Sequence, residues 1–254
     1  MPKYSPKSLG YNNFIRSNSA APFQSYSMTD CSICWIDLLG VRGLSHSQIV
    51  AAVHTALNCA SEASCTGPID QNGNLIGTPN SAIQYSIVGD ALILSEKNLP
   101  KTRAAAKLAF FYRVNILSRL LNEQGYLHRG VITSGEVDCF IYESSTLITG
   151  KGVVKAASLE ANLKTAGLFY DETWDEFINW RQKQLDNQNF IVPFSMLSGW
   201  NHSTHASGLS GVTFSQYDGW VHWDQNIQNG NQSINKVINA QSLINDLRST
   251  FGLP

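Results

Sequence analysis

The chain predicts an α+β fold, an antiparallel sheet with helices packed on it, and three observations predict it. Short apolar strands and longer amphipathic helices follow one another in the order strand, helix, hairpin, helix, strand, helix, strand. A length of 254 residues buries one substantial core and leaves little for a second. With 43% hydrophobic and only 15% charged residues the chain is globular, and the low charge suits a surface partly covered by a partner subunit.

Residues 1–28 are rich in Ser, Asn and Pro without a steady period and read as an N-terminal arm. A core follows over 29–185. Cys31 to Asp37 is short, apolar and bounded by polar residues, as expected of a central strand ending in one acid. Ser45 and Gln48 form a capping box ahead of Ile49, Val50, Val53, Ala56, Leu57 and Ala60, whose spacing marks a helix. Gly, Asn and Pro between Gly67 and Ser81 make a loop. Ile83 to Val88 and Ala91 to Leu94 are two strands joined at Gly89-Asp90, a hairpin pair.

A long helix is predicted from about Lys101 to Asn122, with Leu108, Phe111, Tyr112, Leu117 and Leu121 inward and Lys107, Arg113 and Arg119 outward, stopped by Gly125. His128 to Ser134 and Val137 to Tyr142 are strands, and Gly152 to Thr165 is a helix ended by Gly167. After a strand over Leu168 to Tyr170, Asp171 caps a helix in which Trp174, Phe177, Ile178, Arg181 and Leu185 recur at helical spacing. This order is that of a ferredoxin-like sandwich. Residues 186–254 shift to Asn, Gln, Ser and Gly with Trp200, Trp220 and Trp223, and read as a C-terminal elaboration of the same domain closed by a helix from about Ser233 to Phe251.

A formal charge of −1 supplies no basic field for nucleic acid. No apolar run approaches the roughly 18 residues that span a bilayer, and the N-terminus lacks the apolar core of a secretory signal, so a cytoplasmic protein without membrane contact is expected. Cys31, Cys34, Cys59, Cys65 and Cys139 make an odd count that argues for reduced thiols. Cys31 and Cys34 have redox spacing, but on a strand they point to opposite faces.

Chemistry is suggested by two carboxylates. A strand ending in Asp37-Leu38-Leu39-Gly40-Val41-Arg42 delivers one acid and then a Gly turn whose amides can face a phosphate. The Gly89-Asp90 hairpin delivers another. If the strands are neighbours, the two acids can share a pair of Mg²⁺ or Mn²⁺ ions, which take hard oxygen ligands and complete their shells with water and phosphate. Taken singly, Asp37 is equally an ordinary cap or turn residue, and Asp90 reads more simply as part of an ordinary Gly-Asp hairpin turn.

The ordered set is more specific. Ile36-Asp37-Leu38-Leu39-Gly40-Val41, Ile87-Val88-Gly89-Asp90-Ala91-Leu92, Arg129-Gly130-Val131-Ile132-Thr133-Ser134-Gly135-Glu136 and the helix from Gly150 to Glu160 resemble, in that order, the catalytic core of class III nucleotidyl cyclases over roughly residues 30–175. The resemblance implies two metals held by Asp37 and Asp90 with the carbonyl of Leu38. It also implies a triphosphate held by Leu39, Gly40, Val41 and Arg42, and a head-to-tail homodimer with shared active sites.

Purine cyclases carry a base-reading Lys four residues before the second metal aspartate, where this chain has Ser86. They also carry a transition-state Asn and Arg where this chain has Val154 and Ser158. Gly152, Ala156 and Leu159-Glu160, with Arg129-Gly130-Val131-Ile132, look like the pyrimidine cyclases of bacterial anti-phage defence of the Pycsar type. That resemblance implies a second messenger, cyclic UMP or cyclic CMP, read by a separate effector protein. Tyr85, Ser86 and Arg129 are then candidates for the base pocket, and Lys155, with Lys151 and Arg42, for the missing cation. Two other readings stand beside it, an inactive nucleotide-binding regulatory module and a purine cyclase.

Overall fold

The computed structural model describes residues 24–41, 44–64, 83–98, 103–142, 145–182, 189–215 and 234–252. The arm up to residue 23, the Gly67–Ser81 loop, Arg42, Cys65, Trp220 and Trp223 lie outside the described residues. The fold is α+β. Strands β1 (Gln24–Leu38), β2 (Ile83–Val88), β3 (Ala91–Lys97), β4 (His128–Tyr142), β5 (Ser145–Thr149), β6 (Gly167–Tyr170), β7 (Asn189–Pro193) and β8 (Gly211–Ser215) form one sheet. Its order is β2-β3-β1-β4-β6-β8-β7, with β5 paired to β4. The helices are α1 (His46–Ser64), α2 (Arg103–Glu123), α3 (Lys151–Ala161), α4 (Asp175–Gln182), the single turn α5 (His202–His205) and α6 (Ile234–Phe251). None of the described helices is long and apolar enough to cross a membrane.

Strand alternation sorts the core. Cys34, Ile36 and Leu38 of β1 face one layer with α1 and α2, where Phe110, Phe111, Leu117 and Trp174 are buried. Cys31 and Ile33 face the other layer with Val153 and Ala156 of α3. The two cysteines thus fall on opposite faces, as strand geometry requires, and the four described cysteines are free and buried. Asp37 follows Ile33 and Trp35 with the same parity, so it belongs to the α3 face. A third cluster joins Leu39, Leu127, Val131 and Phe169 to Trp200 and to Ala240, Leu243, Ile244 and Leu247 of α6.

The capping box is half formed as a side-chain return: the Ser45 N–H donates to Gln48 Oε1 at 2.9 Å. Gly125 ends α2 with φ +83°. Several expectations are revised. β1 begins at Gln24, inside the stretch read as arm, because Gln24–Met28 pairs with Ile141–Val137. The two strands expected over 128–142 are one continuous strand, whose irregularity is taken up in β1 between Met28 and Cys31. α3 stops at Ala161 rather than Thr165. β4 and β6 are parallel, which departs from a wholly antiparallel sheet and follows from the α3 crossover between them.

Lys107 and Arg113 were expected on the outer face of α2 and are buried instead. Arg113 pairs with Glu96 of β3, and Lys107 lies over the Trp174 ring and donates to the Thr173 carbonyl. Thr173 and Trp174 cover the Lys107 part of the helix face, and Trp174, Phe177 and Ile178 join the core on that side. The elaboration contributes β7 and β8 to the main sheet, so it extends the same sheet.

Candidate active site

Asp37 is opposite Ala91 on one side and Arg129 on the other. Asp90 immediately precedes Ala91 in the β2–β3 corner, and its carbonyl accepts from the Leu38 N–H at 3.2 Å. Gly89 takes φ +67° and lets the corner turn that tightly. The two acids therefore stand at the same end of adjacent strands. Asp37 is half-buried, and its carboxyl is held above the usual range, first by burial and then by the charge of Asp90, against the pull of Arg129.

Arg129 is the hub of this end of the sheet. Its Nε donates to Asp37 Oδ2 at 3.2 Å, its guanidinium pairs with Glu160, and its Nη1 donates to the Leu163 carbonyl at 2.7 Å. Glu160 reaches this position because α3 packs directly on β4. A Cβ on Gly135 would stand 2.8 Å from the Gly152 Cα, so that approach needs glycine at Gly135. Burial raises the Glu160 pKa, Arg129 and Lys236 oppose that, and Asp37 and Asp90 add to it. Lys236 of α6 acts on Asp37 in the same sense.

Glu160 and Lys236 were not among the expected site residues. The signal for Glu160 was available: Gly152, Ala156 and Glu160 share one helix stripe, so a carboxylate stands where the pattern asks for a core residue. Lys236 left no such signal, since only the folded chain shows where α6 docks.

In the stretch expected to face phosphate, Leu38, Leu39 and Val41 are buried and Gly40 is exposed with φ +84°. The Leu39 N–H is already taken by the Leu127 carbonyl at 2.8 Å. Ser86 is buried, and Tyr85 on the opposite face of β2 is 36% exposed. Tyr85 and Arg129 do not meet within one chain: β2 and β4 are three strand spacings apart, about 14 Å.

Lys155 donates to Glu172 Oε1 at 2.8 Å and lies 2.7 Å from Asp171 Oδ2. Asp171 in turn accepts from Thr133 Oγ1, and Thr133 is four residues along β4 from Arg129, about 13 Å. Lys155 therefore stands well away from Asp37 in its own chain. Lys151 pairs with Glu136 at 3.1 Å on the surface. His202 stacks on Phe194, and His205 lies tilted against Trp200.

Among the described residues no group of three or more His, Cys, Asp or Glu is arranged to hold a metal alone. Asp37 and Asp90 offer a two-carboxylate edge instead. A pair of hard oxygen donors with mutual repulsion fits Mg²⁺ or Mn²⁺, whose remaining ligands are carbonyl, water and phosphate.

No family model matches the sequence, and no curated protein matches it. Solved structures similar to this chain include the catalytic core of a rhodopsin-guanylyl cyclase with converted specificity in complex with ATPalphaS, at 12% identity, covering 76% of this chain and 97% of that one, with TM-score 0.42. Another is the non-canonical dimeric guanylyl cyclase domain of the RhoGC fusion protein from the aquatic fungus Blastocladiella emersonii, at 12% identity over 74% and 96%, with TM-score 0.43. A third is a bacterial light-regulated adenylyl cyclase, at 14% identity over 89% and 59%, with TM-score 0.45.

Proposed function

We propose that this chain is a nucleotidyl cyclase that converts a pyrimidine nucleoside triphosphate, UTP before CTP, to the 3′,5′-cyclic monophosphate and pyrophosphate. The observation that carries this reading is the placement of Asp37 and Asp90 at one end of adjacent strands, inside sequence phrases that resemble class III cyclases. Asp37, Asp90 and the Leu38 carbonyl would hold two Mg²⁺ or Mn²⁺ ions, which would supply acidification of the attacking hydroxyl and charge neutralisation of the leaving pyrophosphate. The ribose 3′-oxygen bonds to the α-phosphorus, the bond to the β-phosphate oxygen breaks, and the hydroxyl proton leaves to solvent.

Arg129 was expected at the base. Its contact with Asp37 sets it beside the metal acids, so in this proposal it serves the phosphate chain. In this proposal the base falls to Tyr85 and Ser86 of a second copy, in the head-to-tail homodimer with shared sites that the resemblance implies. Exposed Tyr85, Val88, Leu147 and Val154 give apolar surface for such a pairing. In the defence reading, which rests on the Pycsar-type resemblance, the cyclic product is a second messenger for a separate effector protein.

One observation favours the inactive-module reading. Val154 is 62% exposed and Ser158 is exposed where purine cyclases carry their transition-state Asn and Arg, while Lys155 is engaged with Asp171 and Glu172. The test is incubation of the protein with ATP, GTP, CTP and UTP separately, each with Mn²⁺, with products resolved by mass. Cyclic UMP in excess supports the proposal. Faster turnover of ATP or GTP removes the pyrimidine assignment, and no product from any of the four leaves the binding module.

A further inference from the structure

The two residues that follow the end of α3 are gripped from several sides. The Leu163 N–H donates to the Glu160 carbonyl at 2.9 Å, and the Leu163 carbonyl accepts from Arg129 Nη1 at 2.7 Å. The Lys164 N–H donates to the His205 carbonyl at 3.0 Å, and the Lys164 carbonyl accepts from Asn239 Nδ2 of α6 at 2.7 Å. All four backbone groups of these residues are thereby engaged, two of them by the C-terminal elaboration. Asn239 is itself fixed: its carbonyl accepts from Trp200 Nε1 at 3.3 Å, and Asp246, about two turns further along α6, accepts from the Gly199 and Trp200 N–H groups. Leu163 lies in the same buried cluster as Trp200, Ala240 and Leu243.

This grip decides how the Arg129 guanidinium is turned. Asp37 and Glu160 both meet it at Nε, whereas the Leu163 carbonyl meets it at Nη1. Two contacts at one end of a planar group leave rotation about that end open, and a contact at the other end fixes the plane. The Leu163 carbonyl and the Lys164 N–H belong to one planar peptide unit, strung between Arg129 and the His205 carbonyl, and Asn239 holds the next unit. We propose that Asn239 is a positioning residue for Arg129, which orients the guanidinium by tying down the Leu163–Lys164 backbone. The inference rests on the cyclase reading, in which Arg129 serves the phosphate chain, and deepens it by giving the C-terminal elaboration a part in the site. The Asn239 contact is exposed, so water can replace the amide at small cost in stability, but water does not hold the peptide in one direction. Loss of Asn239 therefore shows in the orientation of Arg129 rather than in folding.

The experiment is side-chain NMR of the whole protein carrying isotope-labelled arginine, run beside turnover of ATP, GTP, CTP and UTP in Mn²⁺, on wild type, Asn239→Leu, Asn239→Ala and Asn239→Gln. The Arg129 signal is identified by its loss in Arg129→Lys. Expected in both Asn239→Leu and Asn239→Ala is roughly tenfold faster rotation of the Arg129 guanidinium about its Nε–Cζ bond. Their kcat should fall on the order of tenfold with KM changed less, since a misplacement of about 1 Å can cost up to about a hundredfold. Asn239→Gln keeps an amide donor and should fall nearer wild type. In an Arg129→Lys background the Asn239 substitutions should lower turnover no further. Unchanged Arg129 rotation in both Asn239→Leu and Asn239→Ala overturns the proposal and spares the cyclase. Freed rotation with unchanged turnover also overturns it, and so does a further loss in the Arg129→Lys background, which assigns Asn239 to packing. Freed rotation in a protein that turns over no nucleotide supports the hold on Arg129 and overturns the cyclase reading.

Discussion

Arg113 and Arg129 each reach from one element to a carboxylate on another, and the two settings differ in stoichiometry and in access to water. Arg113 on α2 pairs with Glu96 on β3 at 3.1 Å, with the side chains 4% and 6% exposed. There the cation and anion match one to one inside the core. Arg129 is shared by Asp37 and Glu160, with Asp90 close by, at the end of the sheet. There, among the described residues, three carboxylates stand against two nearby cations, Arg129 and Lys236. A matched, dry pair holds two elements in register, whereas an acidic excess at a strand end is where the proposed metal site would take added cations.

The largest effect that tests this contrast is catalytic. In the proposed cyclase, Asp37→Asn and Asp90→Asn should each reduce cyclic nucleotide formation by roughly a thousandfold or more, since each would remove a ligand from a metal site supplying several kcal/mol of charge stabilisation. The matched pair should behave in the opposite way, losing stability rather than turnover. Arg113→Met leaves Glu96, already raised by burial, without its cation, and is expected to cost about 3–5 kcal/mol in urea unfolding. The double variant Arg113→Met with Glu96→Leu should recover most of that loss. A double variant as unstable as the single one would show that Arg113 acts through other contacts.

A third test uses pH. His128 begins β4, next to Arg129, fully buried between Ser118 Oγ at 2.8 Å and the Tyr126 carbonyl at 3.3 Å. Burial pushes its imidazole down to about 4. A depressed folded value means that its contribution is present above the unfolded value of about 6.5 and is lost as pH falls toward about 4. Glu96, Asp37 and Glu160 are raised and have the other sign: their contribution is present below the unfolded carboxylate value and is lost as pH rises through the folded one. Between pH 7 and 5 the His128 contribution should fall by on the order of 2 kcal/mol. Urea unfolding of His128→Gln at the two pH values should show a smaller acid loss than wild type.

Much of this was legible in the sequence, for reasons that can be stated element by element. The β2–β3 hairpin, α1 and the turn at Gly125 are set by local chemistry, namely Gly-Asp, a Ser-to-Gln return bond and a left-handed glycine, so they could be read directly. The approach of Asp37 to Asp90 was expected from the resemblance of the ordered set, on condition that their strands are neighbours, which β1 and β3 are. Burial of Lys107 and Arg113 was not legible, because it depends on distant elements, Thr173 and Trp174 for Lys107 and Glu96 of β3 for Arg113. Lys236 was hidden for the same reason: its place is decided by Asn239 meeting a carbonyl 75 residues away in sequence. Lys155 on α3 was legible as a cation but not as one already engaged with Asp171 and Glu172, which come from the segment after the next strand.

The smallest effect separates the two settings without any turnover. Asp90→Asn removes a charge that raises the Asp37 carboxyl, while leaving Arg129 with both of its carboxylates. Asp37→Asn is the less clean choice, because it also takes a partner from Arg129. In chelator, relief of the like-charge pair should stabilise the Asp90→Asn protein by about 1 kcal/mol, roughly 2–4 °C in Tm for a chain of this size. Saturating Mn²⁺ should reverse the order, raising the wild-type Tm by linkage and leaving the variant nearly unmoved. The matched pair predicts no such crossing: Arg113→Met should melt lower than wild type with and without Mn²⁺. An Asp90→Asn protein that melts below wild type in chelator would mean that the Asp90 carboxylate is satisfied by the fold itself, and the acidic excess would then be no reserve for metal.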